Sequence, residues 1–238
     1  MIAKRQSLKL NDMTRFNIFN QIHKALRAML YDTSLTLQQT HFADADEAET
    51  AMGKVRQVVD IFDEHAAHED HFVFPAIRQY EPSLVDAFEL EHVKDHALSE
   101  KLRGLLTVYN HAVRTDVKIE TGQAIHGAFI NFMIFNLEHM AKEETILNKI
   151  LWRYYSDEEI MDISRRIIST IPQSDMEITN AWMMRGLSNT EISGWLKTAE
   201  KNAPQPVFAQ LFSIAERELP EDRFRKVLEN LAQTAMVA

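Results

Sequence analysis

The sequence contains no cysteine, and this absence excludes several kinds of site at once. Disulfide scaffolds, thiol catalysis, thiolate zinc sites and iron–sulfur clusters all need sulfur as a bond or as a ligand. Any metal ion that this chain binds must therefore be held by nitrogen and oxygen atoms.

Glycine and proline are also scarce, and the chain has neither an excess of positive charge nor long apolar runs. The 238 residues include only 6 glycines and 6 prolines, which disfavours folds with many tight turns or glycine-rich nucleotide loops and favours helices. The net charge of −9 gives no support for nucleic-acid binding, which needs a basic face. No stretch approaches about 20 unbroken apolar residues. Residues 1–9 lack the apolar core of a signal peptide, so we expect a cytoplasmic protein that does not bind a membrane.

Apolar residues recur at helical spacing in four long segments, which predicts an all-α protein. Short turn-like patches separate the segments, and this arrangement predicts an up-down-up-down four-helix bundle in residues 1–155. The segments cover about residues 13–37, 45–80, 84–113 and 117–154. The apolar stripes that we expect to face the core include Phe16, Phe19, Leu26 and Leu30, then Val55, Val58, Phe62 and Phe72, then Leu84, Phe88, Leu102 and Leu106, and finally Phe129, Phe132, Phe135, Ile146 and Ile150.

The sequence pattern changes after residue 155, and in residues 156–238 it predicts a second region of shorter helices. Ser156 with Glu159, and Ser188 with Glu191, have the spacing of capping boxes at helix starts. We expect no clear internal repeat in this region. It is also the candidate surface for a homodimer or for another protein partner.

Histidine is abundant, with 10 residues, and five of the ten fall on the four apolar stripes. Residues four apart share one face of a helix, so a histidine and a glutamate at this spacing point to the same place. Unpaired charges in a bundle core are costly, whereas a shared metal ion supplies a partner for them. Five imidazoles and two carboxylates suit iron, manganese or zinc and are too many for one tetrahedral zinc, so the pattern predicts a two-metal site. The candidate ligands are His23, His65, Glu69, His92, His96, His139 and Glu143.

Three neighbouring polar residues have secondary interpretations. His68 is either an alternative ligand or a hydrogen-bond partner of a ligand. Asp70 is expected to face outward or to hold a ligating imidazole. Glu91 immediately precedes a candidate ligand, so we expect its side chain to point elsewhere.

The order of these residues along the chain, H, HxxxE, HxxxH and HxxxE, resembles the hemerythrin and hemerythrin-like (HHE cation-binding) family. The phrase HAAHEDHFVFP at residues 65–75 is typical of bacterial HHE domains. Respiratory hemerythrins carry an aspartate one residue beyond the position of Glu143, so the resemblance is closer to the bacterial domains than to the oxygen carriers. It covers about residues 10–155 and leaves residues 156–238 as a C-terminal extension.

The resemblance implies a non-haem di-iron centre with a bridging oxo or hydroxo group. His92, His96 and His139 would bind one iron, His23 and His65 the other, and Glu69 and Glu143 would bridge the two. Some relatives keep only one histidine in the third helix, so His92 is the ligand that depends most on the match. This ligand set leaves one coordination position open, on the iron with two histidines.

The expected function follows from that open position. In hemerythrins a reduced iron there binds dioxygen, and related domains bind nitric oxide or sense oxygen or iron. We therefore expect a metal- and gas-binding protein rather than an enzyme. Two alternatives stay open. One is a di-iron enzyme of the stress response, which reduces nitric oxide or peroxide or repairs iron–sulfur centres. The other is a metal-responsive regulatory module that acts through residues 156–238.

Overall fold

The structure is a computed structural model that describes residues 15–235, and within this range it contains helices and short connections but no strand. The four predicted segments are confirmed as helices. Two of them are interrupted by single π-helical turns, so that α2, π1 and α3 run on continuously, as do α5, π2 and α6. The elements are α1 (Asn20–Gln39), α2 (Ala45–His68), π1 (Glu69–Val73), α3 (Phe74–Arg78), α4 (Pro82–His111), α5 (Thr115–Lys142), π2 (Glu143–Leu147) and α6 (Asn148–Tyr154).

The start of α1 differs from the prediction, which placed it at about residue 13. Residues 13 and 14 lie outside the described part, and residues 15–19 are not helical. The Asn17 side chain explains where the helix begins, because its Oδ1 accepts hydrogen bonds from the backbone N–H groups of Phe19 at 3.0 Å and Asn20 at 3.1 Å. Asparagine commonly supplies such bonds just before a helix.

The π turns change which residues face the core after them. A π turn contains one residue more than an α turn, so the apolar stripe moves by one position. The prediction placed Phe72 and Ile146 in the core, but the neighbouring Val73 and Leu147 are the buried residues, at 1% and 0% exposure. Ile146 is 39% exposed. Before the π turns Val55, Val58, Phe62, Phe129 and Phe132 are buried as predicted, and within each π turn the buried position lies one residue beyond the predicted one.

Two compact units divide the described chain. One unit contains residues 15–20 and 30–170, and the other contains residues 21–29 and 171–235. Helix α1 contributes residues to both. Helix α7 (Asp157–Ile168) groups with the bundle because Ile160 and Ile163 are buried in the same apolar cluster as Phe74 and Leu147.

The second unit contains four short helices of nearly equal length. Both predicted capping boxes are confirmed, one at the start of α7 in the first unit and one at Ser188 in the second. Its core includes Met184 and Leu196, which are both fully buried. The helices are α8 (Gln173–Gly186), α9 (Asn189–Asn202), α10 (Gln205–Glu218) and α11 (Glu221–Ala235).

The expectation of no internal repeat is wrong. Helices α7 to α11 begin at Asp157, Gln173, Asn189, Gln205 and Glu221, so each start follows the previous one by 16 residues. Serine or proline precedes every start, and the fourth helical residue is always large and apolar. Few side chains recur at other positions, which hides the repeat in the sequence. None of the described helices combines the length and the apolar character that a membrane span requires.

Candidate metal centre

Six of the seven predicted ligands come together in the bundle, in two overlapping groups of four residues. In each group the potential ligand atoms all lie within 4.8 Å of one another. Glu69 and Glu143 belong to both groups, which is the position of a bridging carboxylate. The first group consists of His23, His65, Glu69 and Glu143, and the second of Glu69, His92, His139 and Glu143.

The two shared carboxylates occupy equivalent positions at the π turns. Glu69 is the first residue of π1, and the N–H of Phe74, five residues on, donates to its carbonyl. Glu143 is the first residue of π2 and accepts in the same way from Asn148. Each glutamate lies four residues after a histidine of its own helix. Because π turns occur most often at functional sites, their coincidence with both carboxylates supports a site here.

Outer carboxylates fix the orientation of two imidazole rings. Nδ1 of His92 lies 2.8 Å from Oδ1 of Asp70, and Nδ1 of His139 lies 2.8 Å from Oε2 of Glu91. If each Nδ1–H donates to its carboxylate, each Nε2 carries a lone pair that points into the site. The two Nε2 atoms are only 3.1 Å apart. Two lone pairs at that distance need a positive partner, and a metal ion held by imidazoles with such outer carboxylates is the usual solution in proteins.

The two carboxylates that both groups share are almost fully buried, and each contacts an imidazole of its own helix. Glu69 and Glu143 are 2% and 0% exposed. Oε1 of Glu69 lies 3.2 Å from Nε2 of His65, and Oε1 of Glu143 lies 3.0 Å from Nε2 of His139. Buried carboxylates need a compensating positive charge, because removing them from water is costly. The donor set therefore fits a metal cation.

The pKa of His92 shows the same preference for positive charge. Burial by itself lowers this pKa, but hydrogen bonds to Asp70 and Glu69, together with their negative charge, outweigh burial and raise it to about 10. The site thus favours a cation between its carboxylates, either an imidazolium or a metal ion.

His96 is the predicted ligand that the structure does not bring to the site. Its side chain is 66% exposed, and its Nδ1 lies 3.9 Å from Oδ1 of Asp63. Residues three and four positions apart on a helix both lie on roughly the same face. On α4 the residue three positions after His92 is buried, whereas His96, four positions after it, is exposed. Asp95 takes that inward position at 4% exposure, where its Oδ1 accepts a hydrogen bond of 2.6 Å from Asn136. The ligand set proposed below therefore contains His92 and omits His96.

The secondary interpretations have mixed outcomes. Asp70 holds the imidazole of the candidate ligand His92, as one of its two expected roles requires. His68 is in neither group, and its Nε2 lies 3.4 Å from Oγ1 of Thr170. The expectation for Glu91 is wrong, because this side chain reaches across to His139 and also accepts a hydrogen bond of 2.7 Å from Lys142. The phase of a single helix cannot reveal such a contact between two helices.

Four imidazoles around two shared carboxylates form a cluster of histidine and carboxylate groups that could hold a metal ion, which is the kind of site that a metal-binding protein carries. The chain matches the hemerythrin HHE cation binding domain over residues 14–151, which is more than half of its length. It belongs to this family, whose domains bind metal ions, typically iron. Comparisons with curated proteins and with solved structures find no match.

Proposed function

We propose that the two groups hold two iron ions and that the centre binds a small diatomic ligand, either dioxygen or nitric oxide. The observation that carries this proposal is the sharing of two buried carboxylates between two histidine pairs. The proposed ligands are His23, His65, Glu69, His92, His139 and Glu143.

The ligand count without His96 differs from the count that the resemblance implied. Each metal would receive two imidazoles and two carboxylate oxygens from the chain. An oxo or hydroxo bridge would occupy one further position on each. A six-coordinate iron then keeps one open position, and this applies to both metals instead of only one. Small ligands therefore have two possible sites of attachment.

Aromatic side chains pack against both imidazoles of the second group. The Phe74 ring stacks on His92 with ring centres 5.0 Å apart, and the Phe135 ring stacks on His139 at 5.9 Å. Phe88 lies 5.7 Å from His139 and is 3% exposed. An apolar shell of this kind controls solvent access and strengthens electrostatic interactions within the site. It suits a small uncharged ligand.

The test is anaerobic purification with metal quantification, followed by titration with dioxygen and then nitric oxide under optical spectroscopy. We expect about two irons per chain, as in other di-iron bundles. Dioxygen should produce a visible absorption band that disappears on deoxygenation. His65→Ala and His139→Ala should each lower the iron content. His111→Ala is the matched control, because His111 is exposed, belongs to neither group and contacts the carbonyl of Thr107 on its own helix. Irreversible oxidation without such a band would contradict reversible binding.

The equal ligand sets of the two groups also favour a second candidate, an enzyme that reduces nitric oxide or peroxide, because two metals held in this way would each have a position for the substrate. The discriminating assay supplies an external electron donor and follows consumption of nitric oxide or hydrogen peroxide. Steady turnover that is lost in His65→Ala and His139→Ala would favour the enzyme. Stoichiometric binding without turnover would favour the gas-binding protein.

A further inference from the structure

We propose that the turn between α8 and α9 positions the metal ligand His23, so that the C-terminal helices tune the metal held by the first group. This inference rests on the two-metal function proposed above. It gives the second unit a role that a simple gas carrier does not need. Residues 21–29 of α1 contact the four short helices of the same unit, and these contacts support the proposal.

His23 lies at a mechanically weak place in its helix. It is the fourth residue of α1, and the backbone N–H groups of the residues before it in the first turn have no acceptor within the helix. Helix ends open more readily than helix centres for this reason. A metal ligand in a first turn therefore benefits from contacts that hold the turn from outside.

Gly186 makes one such contact with the backbone beside His23. A Cβ added at Gly186 would stand 2.8 Å from the carbonyl carbon of Lys24 and closer still to its oxygen. Since the clash would be with backbone, a side-chain rotation could not relieve it. Gly194 in α9 differs, because nothing lies within 4 Å of a Cβ added there.

The Lys24 side chain makes a second contact with the same turn. Its Nζ donates to Oε1 of Glu191 at 2.5 Å. Glu191 is itself held by the capping box of α9, in which its Oε2 accepts from the backbone N–H of Ser188 at 2.9 Å and from the Ser188 hydroxyl at 2.7 Å. Lys24 is thus tied to a carboxylate that the helix start already holds in place.

Arg223 of α11 makes the turn itself rigid. Its guanidinium donates to the carbonyl of Leu187 at 2.5 Å and to Oδ1 of Asn189 at 2.9 Å. A third bond reaches the carbonyl of Arg185 at 3.3 Å. The turn that contacts Lys24 is therefore supported from three sides, and it can transmit a displacement of the C-terminal helices to the first turn of α1.

The predicted effect is selective, because His23 belongs to the first group and not to the second. Loosening the turn should lower the affinity for the metal held by His23 and His65. The affinity for the metal held by His92 and His139 should stay unchanged. A general loss of stability would weaken both.

The test is titration of the full chain with Co²⁺ under anaerobic conditions, followed by visible absorption and supported by iron analysis. We expect wild type and the control Gly194→Ala to bind two Co²⁺. In Gly186→Ala, one Co²⁺ should bind as in wild type and the other about tenfold or more weakly, the loss typical when the support of a ligand is removed. Its spectrum should approach that of His23→Ala, a signature that a merely structural change would not produce.

Lys24 variants keep the test decisive if Gly186→Ala does not fold. Lys24→Met should weaken the same Co²⁺ by up to about fivefold, the range for a partly exposed ion pair, and Lys24→Arg should restore wild-type binding. Wild-type binding in every folded variant, or equal weakening of both ions, would overturn the proposal. Fewer than two ions in wild type would instead overturn the proposed function, and with it this inference.

Discussion

Replacement of Asp70 by alanine should weaken metal binding, although Asp70 is not a ligand. In the structure its Oδ1 lies 2.8 Å from Nδ1 of His92, and the opposite ring nitrogen points toward His139. Loss of the carboxylate leaves the ring free to rotate and to carry its proton on the wrong nitrogen. It also removes a negative charge that strengthens the imidazole as a donor.

The magnitude follows from the exposure of Asp70. Removing such an outer partner costs about 10–100-fold in metal affinity, or about 1.4–2.7 kcal/mol. The Asp70 side chain is 42% exposed, so water can take over part of its hydrogen bond. We therefore expect a loss near tenfold. Asp70→Asn should lose less, because its amide oxygen still accepts from Nδ1–H.

The assay is competition for metal against a chromophoric chelator at fixed pH. Asp86→Ala is the matched control, because Asp86 is a 62% exposed carboxylate that pairs with Arg78. It should bind metal like wild type. Wild-type affinity in Asp70→Ala would refute the argument that this carboxylate orients the ring of His92.

Three further predictions concern the shared carboxylates, the π turns and the ion pairs of Glu218 with two partly exposed arginines. Glu143→Gln should weaken the binding of both metals, because Glu143 belongs to both groups, whereas His65→Ala should weaken the binding of one. Metal analysis of the two variants compares these outcomes. Leu147→Ala should cost about 2–5 kcal/mol of unfolding free energy in urea, and Ile146→Ala much less; the reverse order would show that the helix continues without a π turn. Burial tends to raise the pKa of Glu218, but hydrogen bonds from two arginines lower it overall. Its stabilising contribution is thus present above the unfolded pKa and lost as pH falls, so Glu218→Gln should flatten the acid limb of the stability curve, and an unchanged limb would contradict this.

The sequence brought together candidate residues correctly where their proximity depends on a single helix. His65 with Glu69, and His139 with Glu143, are neighbours along one helix face, so spacing alone brings each pair together. The third helix offered two candidates, and their spacing could not decide between them. Packing against α2 and α5 turned His92 inward and left His96 beside Asp63.

Glu91 and the π turns show the limits of single-helix reasoning in another way. Glu91 acts on a histidine 48 positions away, so its role exists only after α4 and α5 have packed. The π turns depend on a backbone pattern that apolar spacing does not encode, and each shifts the core stripe by one residue. The repeat of the C-terminal helices was missed because it lies in helix length and cap position and not in side-chain identity.

The amino-acid sequence by itself determined the helical class, the four long segments, the capping boxes and six of the residues that gather at the site, because these follow from periodicity and local hydrogen bonding. It also excluded sulfur ligands. Only the tertiary structure decided which histidine of α4 turns inward and which outer carboxylates orient the imidazoles. It also decided that residues 21–29 form one compact unit with the C-terminal helices. Those features depend on contacts between helices far apart in the chain, and such contacts arise when the helices pack.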